Sequence, residues 1–446
     1  MTAGVWRVSG APLVAATAAG PLSGHTVAVK DLYAVAGFAL GAGVPEFLGA
    51  PEERHAAVVS ALLAAGADIT GIAHTDEFAY SITGVNGRYG MPVNPAAPQR
   101  IPGGSSSGSA VAVSSGAVTI GLGTDTAGSI RVPAAYQGLW GIRTTHSSLS
   151  ADGVVPLAPS FDAVGWLTRD ARTLFAVADC LLPQPIRRGT APGSNGELRR
   201  SGPSSPASGG RPPAESAPTE IEPDYLSELG PLSAPTDTEP DYLSGLGPLP
   251  ADELVVDPAL CDVADPELAD RAVRVAAAAG ARRIHIGADL DTWFAAFRTV
   301  QAHEAWAAHG PWIGEHRNAL EPEVAQRFAY AATITGAAAA QERAVLAAAT
   351  EVLRTALSGR ALLLPATATL PPLRTAAPAD LEAGRMRTLQ LTGLASLAGL
   401  PAVAFPVAPV DGIPVGLCVI GAPHTDRDLI RVAAGIADRS AERVCV

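Results

Sequence analysis

Apolar positions recur along this chain with two different periods, and the changes between them mark out the elements. Residues 26–30 (Thr-Val-Ala-Val-Lys) form a β-branched run that ends in a titratable side chain, the pattern of a buried strand delivering that group into a cleft. Residues 52–65 predict a helix with Ala56, Val59, Leu62 and Leu63 on one face and Gly66 as its stop, and 69–73 predict the next strand. Farther on, 266–280, 291–309, 321–332 and 337–357 read as alanine-rich helices with apolar stripes. Buried strands are expected at 362–366 and 402–407. Strand and helix alternate, which favours an α/β fold whose sheet recruits strands from both ends of the chain.

Two stretches break this alternation in opposite ways. Residues 101–145 are dense in Gly, Ser and Thr yet carry apolar runs at 110–113 and 118–122, so they read as core built around tight backbone. Residues 186–250 hold Pro, Ser, Gly and charge without hydrophobic periodicity, and read as a disordered insertion within a single domain spanning 1–446. Basic residues gather in its first half (Arg187, Arg188, Arg199, Arg200, Arg211) and acidic ones in its second. Glu222-Pro-Asp-Tyr-Leu-Ser repeats as Glu239-Pro-Asp-Tyr-Leu-Ser, so 222–249 reads either as a docking peptide for a partner or as a tandem duplication without function.

Composition narrows the function. Hydrophobic residues make up 48% of the 446 and charged residues 17%, enough apolar material for a sizeable core. A balance of 31 basic against 43 acidic groups, net −12, repels polyanions at long range, so neither nucleic acid nor an anionic membrane surface is expected as a partner. The first 21 residues are too weakly apolar for a signal peptide and no run of eighteen apolar residues occurs, so a soluble, cytoplasmic protein is expected. Four scattered cysteines (Cys180, Cys261, Cys418, Cys445) without a Cys-x-x-Cys pair suggest reduced thiols rather than zinc or disulfides. One count bears on chemistry: 30 of the basic residues are arginine, and Lys30 is the single lysine. A guanidinium keeps its proton in proteins whereas a buried amine can release it, so position 30 asks for a group able to titrate.

Gly103-Gly-Ser-Ser-Ser-Gly-Ser109 and Gly123-Thr-Asp-Thr-Ala-Gly-Ser-Ile-Arg131 dominate the candidate chemistry. Glycines and small hydroxyl residues let backbone N–H groups converge on one point, as an oxyanion hole or anion nest requires. A phosphate-binding loop is excluded because no Gly-Lys-Ser/Thr follows. A nucleophile elbow at Ser106 matches Gly104-Ser-Ser-Ser-Gly108 formally, but needs strand-turn-helix and a downstream acid and histidine, for which His146 and His285 are candidates in name only. Taken with Val27-Ala-Val-Lys-Asp31, the two glycine-rich stretches resemble the amidase signature family. Its pattern is a lysine closing a short strand, then Gly-Gly-Ser-Ser-Gly-Gly-Ser, then Gly-Thr-Asp-x-Gly-Gly-Ser-Ile-Arg-x-Pro-Ala. The spacing also resembles that family's: 75 residues from Lys30 to Ser105 and 24 from Ser105 to Ser129. Asp76-Glu-Phe-Ala-Tyr80, Tyr89-Gly-Met-Pro-Val-Asn-Pro95, Ser160-Phe-Asp-Ala-Val-Gly-Trp166, Gly399-Leu-Pro-Ala-Val and Gly412-Ile-Pro-Val-Gly-Leu extend it over most of the chain except about 186–255. Plant-type indole-3-acetamide hydrolases look most similar, from Pro102-Gly-Gly-Ser-Ser-Ser-Gly-Ser and Val132-Pro-Ala-Ala-Tyr.

The resemblance implies a mixed central β-sheet covered by helices on both faces, and hydrolysis of a small carboxamide with no cofactor or metal. By position, Ser129 corresponds to the nucleophile, Ser105 to a bridging serine on a cis peptide, and Lys30 to the general base. The backbone N–H groups of Thr126, Ala127, Gly128 and Ser129 correspond to the oxyanion hole. Ser107 and Ala127 stand where the family pattern has Gly, and Ala127 would be strained at positive φ. Asp125 and Arg131 flank Ser129 and read as an ion pair bracing the loop, while Met91 and Tyr136 read as pocket lining or core. Two other functions fit the resemblance: the amidase-like subunit of a tRNA-dependent amidotransferase, and a non-catalytic amidase-like docking domain that uses the insertion as bait. The second is expected to lack triad members, and all three stand here. The identity of the amide and the oligomeric state, a homodimer included, are open at this level.

Overall fold

A computed structural model describes residues 4–183 and 254–442. The expected insertion at 186–250, with its repeats, lies outside the described residues, as does Cys445. Among the described residues, eleven strands form one sheet: β1 (Trp6–Val14), β2 (Thr26–Lys30), β3 (Asp68–Ala73), β4 (Ile120–Asp125), β5 (Trp140–Arg143), β6 (Ala163–Thr168), β7 (Leu254–Val256), β8 (Arg282–Arg283), β9 (Ala361–Pro365), β10 (Ala402–Val410) and β11 (Ile413–Ile420). Their spatial order is β1-β3-β2-β4-β6-β5-β10-β11-β9-β7-β8. Pairing is parallel for β3-β2-β4 and for β9-β7-β8 and antiparallel elsewhere, so the sheet is mixed.

Helices α1 (Ala57–Ala64), α2 (Ser107–Ser114), α3 (Arg131–Gln137), α4 (Ala171–Leu181), α5 (Pro258–Cys261), α6 (Pro266–Ala278), α7 (Leu290–Glu315), α8 (Pro322–Ala331), α9 (Gly336–Ala356), α10 (Pro378–Leu397) and α11 (Asp426–Glu442) complete the described fold. Every residue of β4, β5, β6 and β9 is buried, which requires cover on both faces of the sheet because successive side chains point to opposite sides. Helix α2 packs on β2 and β4, α3 on β10 and β11, α4 on β6, and α11 on β10.

Three differences from the sequence pattern have local causes. The helix expected over 52–65 begins only at Ala57. Residues 52–56 are instead drawn into an extended pairing with the loop at 34–38: Glu52 and Phe38 bond through the backbone, Gly37 N–H reaches the Glu52 carbonyl, and Ala56 N–H reaches Ala34. Strand β1 has no clear apolar alternation because it lies at the sheet edge and is only half buried. Helix α7 runs past His309 through Gly310 and Pro311 to Glu315, where the pattern predicts a stop.

The register of the parallel trio positions the chemistry. Val29 pairs with Leu122 and with Ile72, so β2 and β3 end together at Lys30 and Ala73 while β4 runs on past them to Asp125. Parallel strands open their binding crevice beyond their carboxyl ends. At that edge stand Lys30, the last residue of β2; Thr124 and Asp125, the last two of β4; and Thr75 and Asp76, just past β3.

Candidate active site

Lys30 is fully enclosed, and its Nζ donates to Ser105 Oγ at 2.7 Å and to Thr124 Oγ1 at 2.9 Å. Burial pushes its ammonium down from 10.5 to about 7, against the pull of the Asp76, Asp125 and Asp162 carboxylates. Lys30 is therefore the one aliphatic side-chain amine of the chain and is poised to exchange a proton near neutrality. Ser105 follows a cis peptide bond from Gly104 and sits just before α2. Its carbonyl is gripped by the Thr75 hydroxyl at 2.8 Å and the Asp76 N–H at 3.4 Å.

Ser129 lies in the tight link between β4 and α3 and is buried. The two serine loops are joined by the Ser106 N–H, which donates to the Ser129 carbonyl at 3.2 Å. Among the described residues no hydrogen bond joins Ser105 Oγ to Ser129 Oγ; hydrogen bonds of this kind often tighten only in the substrate complex. Ser106 Oγ donates to the Thr124 carbonyl at 3.4 Å and meets no imidazole, which disposes of the nucleophile-elbow alternative. His146 instead sets Nδ1 2.9 Å from the Asp162 carbonyl, and His285 is 78% exposed beside Asp257.

The link that carries Ser129 is braced from below. Asp125 accepts the N–H groups of Gly128 (2.8 Å), Ile130 (3.2 Å) and Arg131 (3.4 Å), and pairs with the Arg131 guanidinium through two contacts at 2.8 and 3.0 Å. Arg143 reaches the same residue at its carbonyl and, at 3.5 Å, its carboxylate. Burial alone would raise the Asp125 pKa, but Arg131 and Arg143 outweigh it and hold the carboxyl well below the usual range. Arg131 continues to the Thr392 carbonyl (2.8 Å) and Ser396 Oγ (3.2 Å), fastening α10 to the loop. The ion pair expected from the flanking charges is present and structural.

One expected oxyanion donor is already engaged. The Gly128 N–H is given to Asp125, whereas the N–H groups of Thr126, Ala127 and Ser129 carry no hydrogen bond among the described residues. This narrows the expected set of Thr126, Ala127, Gly128 and Ser129 to three free donors. The strain anticipated at Ala127 does not arise, because positive φ falls on Gly128 (118°). A Cβ there would come within 2.9 Å of Thr392 Oγ1, which itself donates to the Ala127 carbonyl at 2.6 Å. Tyr136 is buried and packs close to Gly103.

Sequence reasoning did not assign several members of this site: Thr124, Thr75, Asp76, Arg143, Thr392 and Asp162, whose carboxylate accepts the Thr126 hydroxyl at 2.6 Å and the Leu157 and Ala158 N–H groups. A small polar residue just past a strand end was the available signal for Thr75 and Asp76, and Thr124 alternates with Asp125 along β4. Thr392 comes from a helix more than 260 residues downstream of Ser129 and carried no signal.

A mixed sheet with a buried lysine and two glycine-rich serine loops at the carboxyl ends of its parallel strands defines the class. The chain belongs to the Amidase family, whose profile matches residues 11–430. It is 53% identical over 167 residues to Amidase 1 of Oryza sativa subsp. japonica, covering 37% of this chain and 38% of that one. The chain therefore spans well under half the length of that curated relative. It is also 30% identical over 430 residues to a glutamyl-tRNA(Gln) amidotransferase component of Symbiobacterium thermophilum, covering 94% of this chain and 83% of that one. A crystal structure of an amidase superposes with a TM-score of 0.73 at 28% identity, covering 94% of this chain and 86% of the other.

Proposed function

We propose that this chain hydrolyses a small carboxamide to a carboxylate and ammonia through an acyl-enzyme on Ser129. The observation that carries the reading is the enclosed Lys30 Nζ, shifted to about 7 and 2.7 Å from Ser105 Oγ. A serine hydroxyl attacks poorly at neutral pH without a base, and a lysine serves only when its amine is neutral. In the proposed acylation Ser129 Oγ bonds to the amide carbon and its proton passes by way of Ser105 Oγ to Lys30. The free N–H groups of Thr126, Ala127 and Ser129 take the developing oxyanion. As the C–N bond breaks, the proton returns through Ser105 to the nitrogen, which leaves as ammonia. Water then attacks the ester, loses its proton along the same path, and releases the carboxylate and Ser129.

Ammonia release from a panel of primary amides tests the reading, with Ser129→Ala as the control. Turnover is expected to vanish in the variant while substrate binding persists, since the donors and pocket remain. Wild-type turnover by rigorously purified Ser129→Ala refutes it. The long match to the amidotransferase component supports a second reading, delivery of the ammonia to a partner, which predicts turnover dependent on that partner and on tRNA.

A further inference from the structure

Lys30 is enclosed and has no ion pair among the described residues, so the field that lets it accept a proton comes from carboxylates outside direct contact. Asp76, Asp125 and Asp162 exert it, in that order of effect. Asp125 is matched by Arg131 and Arg143. Asp162 is spent on the Thr126 hydroxyl and two backbone N–H groups, with Arg143 near.

Asp76 is placed differently. Its carboxylate is wholly buried, Oδ2 accepts the Gly84 N–H at 3.0 Å, and Oδ1 has no hydrogen-bond partner among the described residues. Burial is the largest influence on its carboxyl and raises it from 3.8 to about 6, against the pull of the Gly84 N–H, Lys30, the Ser81 hydroxyl and, from α8, Arg327. Its place is locked to the cis-peptide loop. Thr75 Oγ1 and the Asp76 N–H both hold the Ser105 carbonyl, and the Gly104 N–H donates to the Ile82 carbonyl at 2.8 Å. A Cβ on Gly104 would lie 2.6 Å from both Asp76 carboxylate oxygens, so the carboxylate rests directly against that α-carbon.

We propose that Asp76 is a positioning residue for amide hydrolysis: from the cradle that grips Gly104 and Ser105, its underused carboxylate is the counter-charge that stabilises Lys30 as the ammonium formed when Ser129 gives up its proton. The inference rests on the Ser129–Ser105–Lys30 pathway proposed above. It separates two jobs within one loop, with Thr75 holding Ser105 in place and Asp76 supplying charge.

The test is the pH profile of kcat/KM, whose acid limb reports the Lys30 proton. Asp76→Asn removes the charge and keeps the shape. Its acid limb is expected to move down by about one pH unit, with kcat about tenfold lower on the plateau and KM little changed, because Asp76 is the strongest of the charges that favour the Lys30 ammonium and its removal leaves burial less opposed. Thr75→Val keeps the charge and removes one hold on Ser105, so kcat falls several-fold while the limb stays in place. A limb unmoved in Asp76→Asn, or moved as far in Thr75→Val, overturns the proposal, and Thr75→Val decides the matter even if Asp76→Asn fails to fold. Retention of full activity by Lys30→Met would instead remove the pathway itself, a failure distinct from that of Asp76.

Discussion

Replacing Lys30 with methionine is expected to abolish turnover and yet raise stability at neutral pH. In the folded chain the ammonium has been pushed from 10.5 to about 7. At about 1.4 kcal/mol per pH unit, the folded state is about 4 kcal/mol less stable at pH 7 than it would be with an unperturbed amine. Methionine has a similar length and no proton to lose. The substitution also strips a partner from Ser105 Oγ and Thr124 Oγ1, at about 1 kcal/mol each. The expected net gain at pH 7 is therefore about 2 kcal/mol. The pH dependence isolates the cause. The folded pKa is depressed, so between about 7 and 10.5 the unfolded chain holds a proton that the folded chain lacks. Wild-type stability then rises with pH by about 1.4 kcal/mol per unit across that window, and the penalty is fully present below it. Lys30→Met lacks this slope, so it starts out more stable, crosses the wild type near the middle of the window, and is less stable at pH 10. Urea unfolding of both proteins at matched ionic strength from pH 7 to 10 measures the difference. A stability difference that stays constant with pH would show that Lys30 is not held neutral by burial, and the account of the base would fail with it.

Two further substitutions test the frame around Ser129. Gly128→Ala combines a φ of 118° with a Cβ 2.9 Å from Thr392 Oγ1, so it is expected to lose about 1–3 kcal/mol and essentially all turnover, read by thermal unfolding and ammonia release. Arg131→Met leaves the Asp125 carboxylate buried beside Arg143 alone and removes the guanidinium's ties to α10, leaving Thr392 Oγ1 to hold that helix to the Ala127 carbonyl, with an expected loss of about 3–5 kcal/mol in urea unfolding at pH 7. A loss below about 1 kcal/mol would mean that the pair is not what braces the loop.

The part of this protein written in contiguous stretches can be read without its fold. Lys30 closes a five-residue β-branched run, and Ser105 and Ser129 stand inside two glycine-rich loops whose composition serves no ordinary packing purpose. The helices of the second half were legible for the same reason: α6, α8 and α9 each repeat apolar residues at helical spacing over ten residues or more. The ion pair of Asp125 and Arg131 was readable because six positions separate its partners on a single turn of chain.

Which groups face one another at the ends of the parallel strands depends on long-range pairing. Parallel pairing of β3, β2 and β4 brings Asp76, Lys30 and Thr124 to the carboxyl ends of neighbouring strands, although the last two are 94 positions apart. Helix α10 adds Thr392 from 265 positions beyond Ala127, and Gly128 turns its N–H toward Asp125, away from the role its place in the motif suggested. The start of α1 was likewise settled by backbone bonds to a distant loop rather than by helical periodicity. Local pattern records which residues a segment must bury or expose. Hydrogen bonds and charges act through space and depend on strand register, which no single segment encodes.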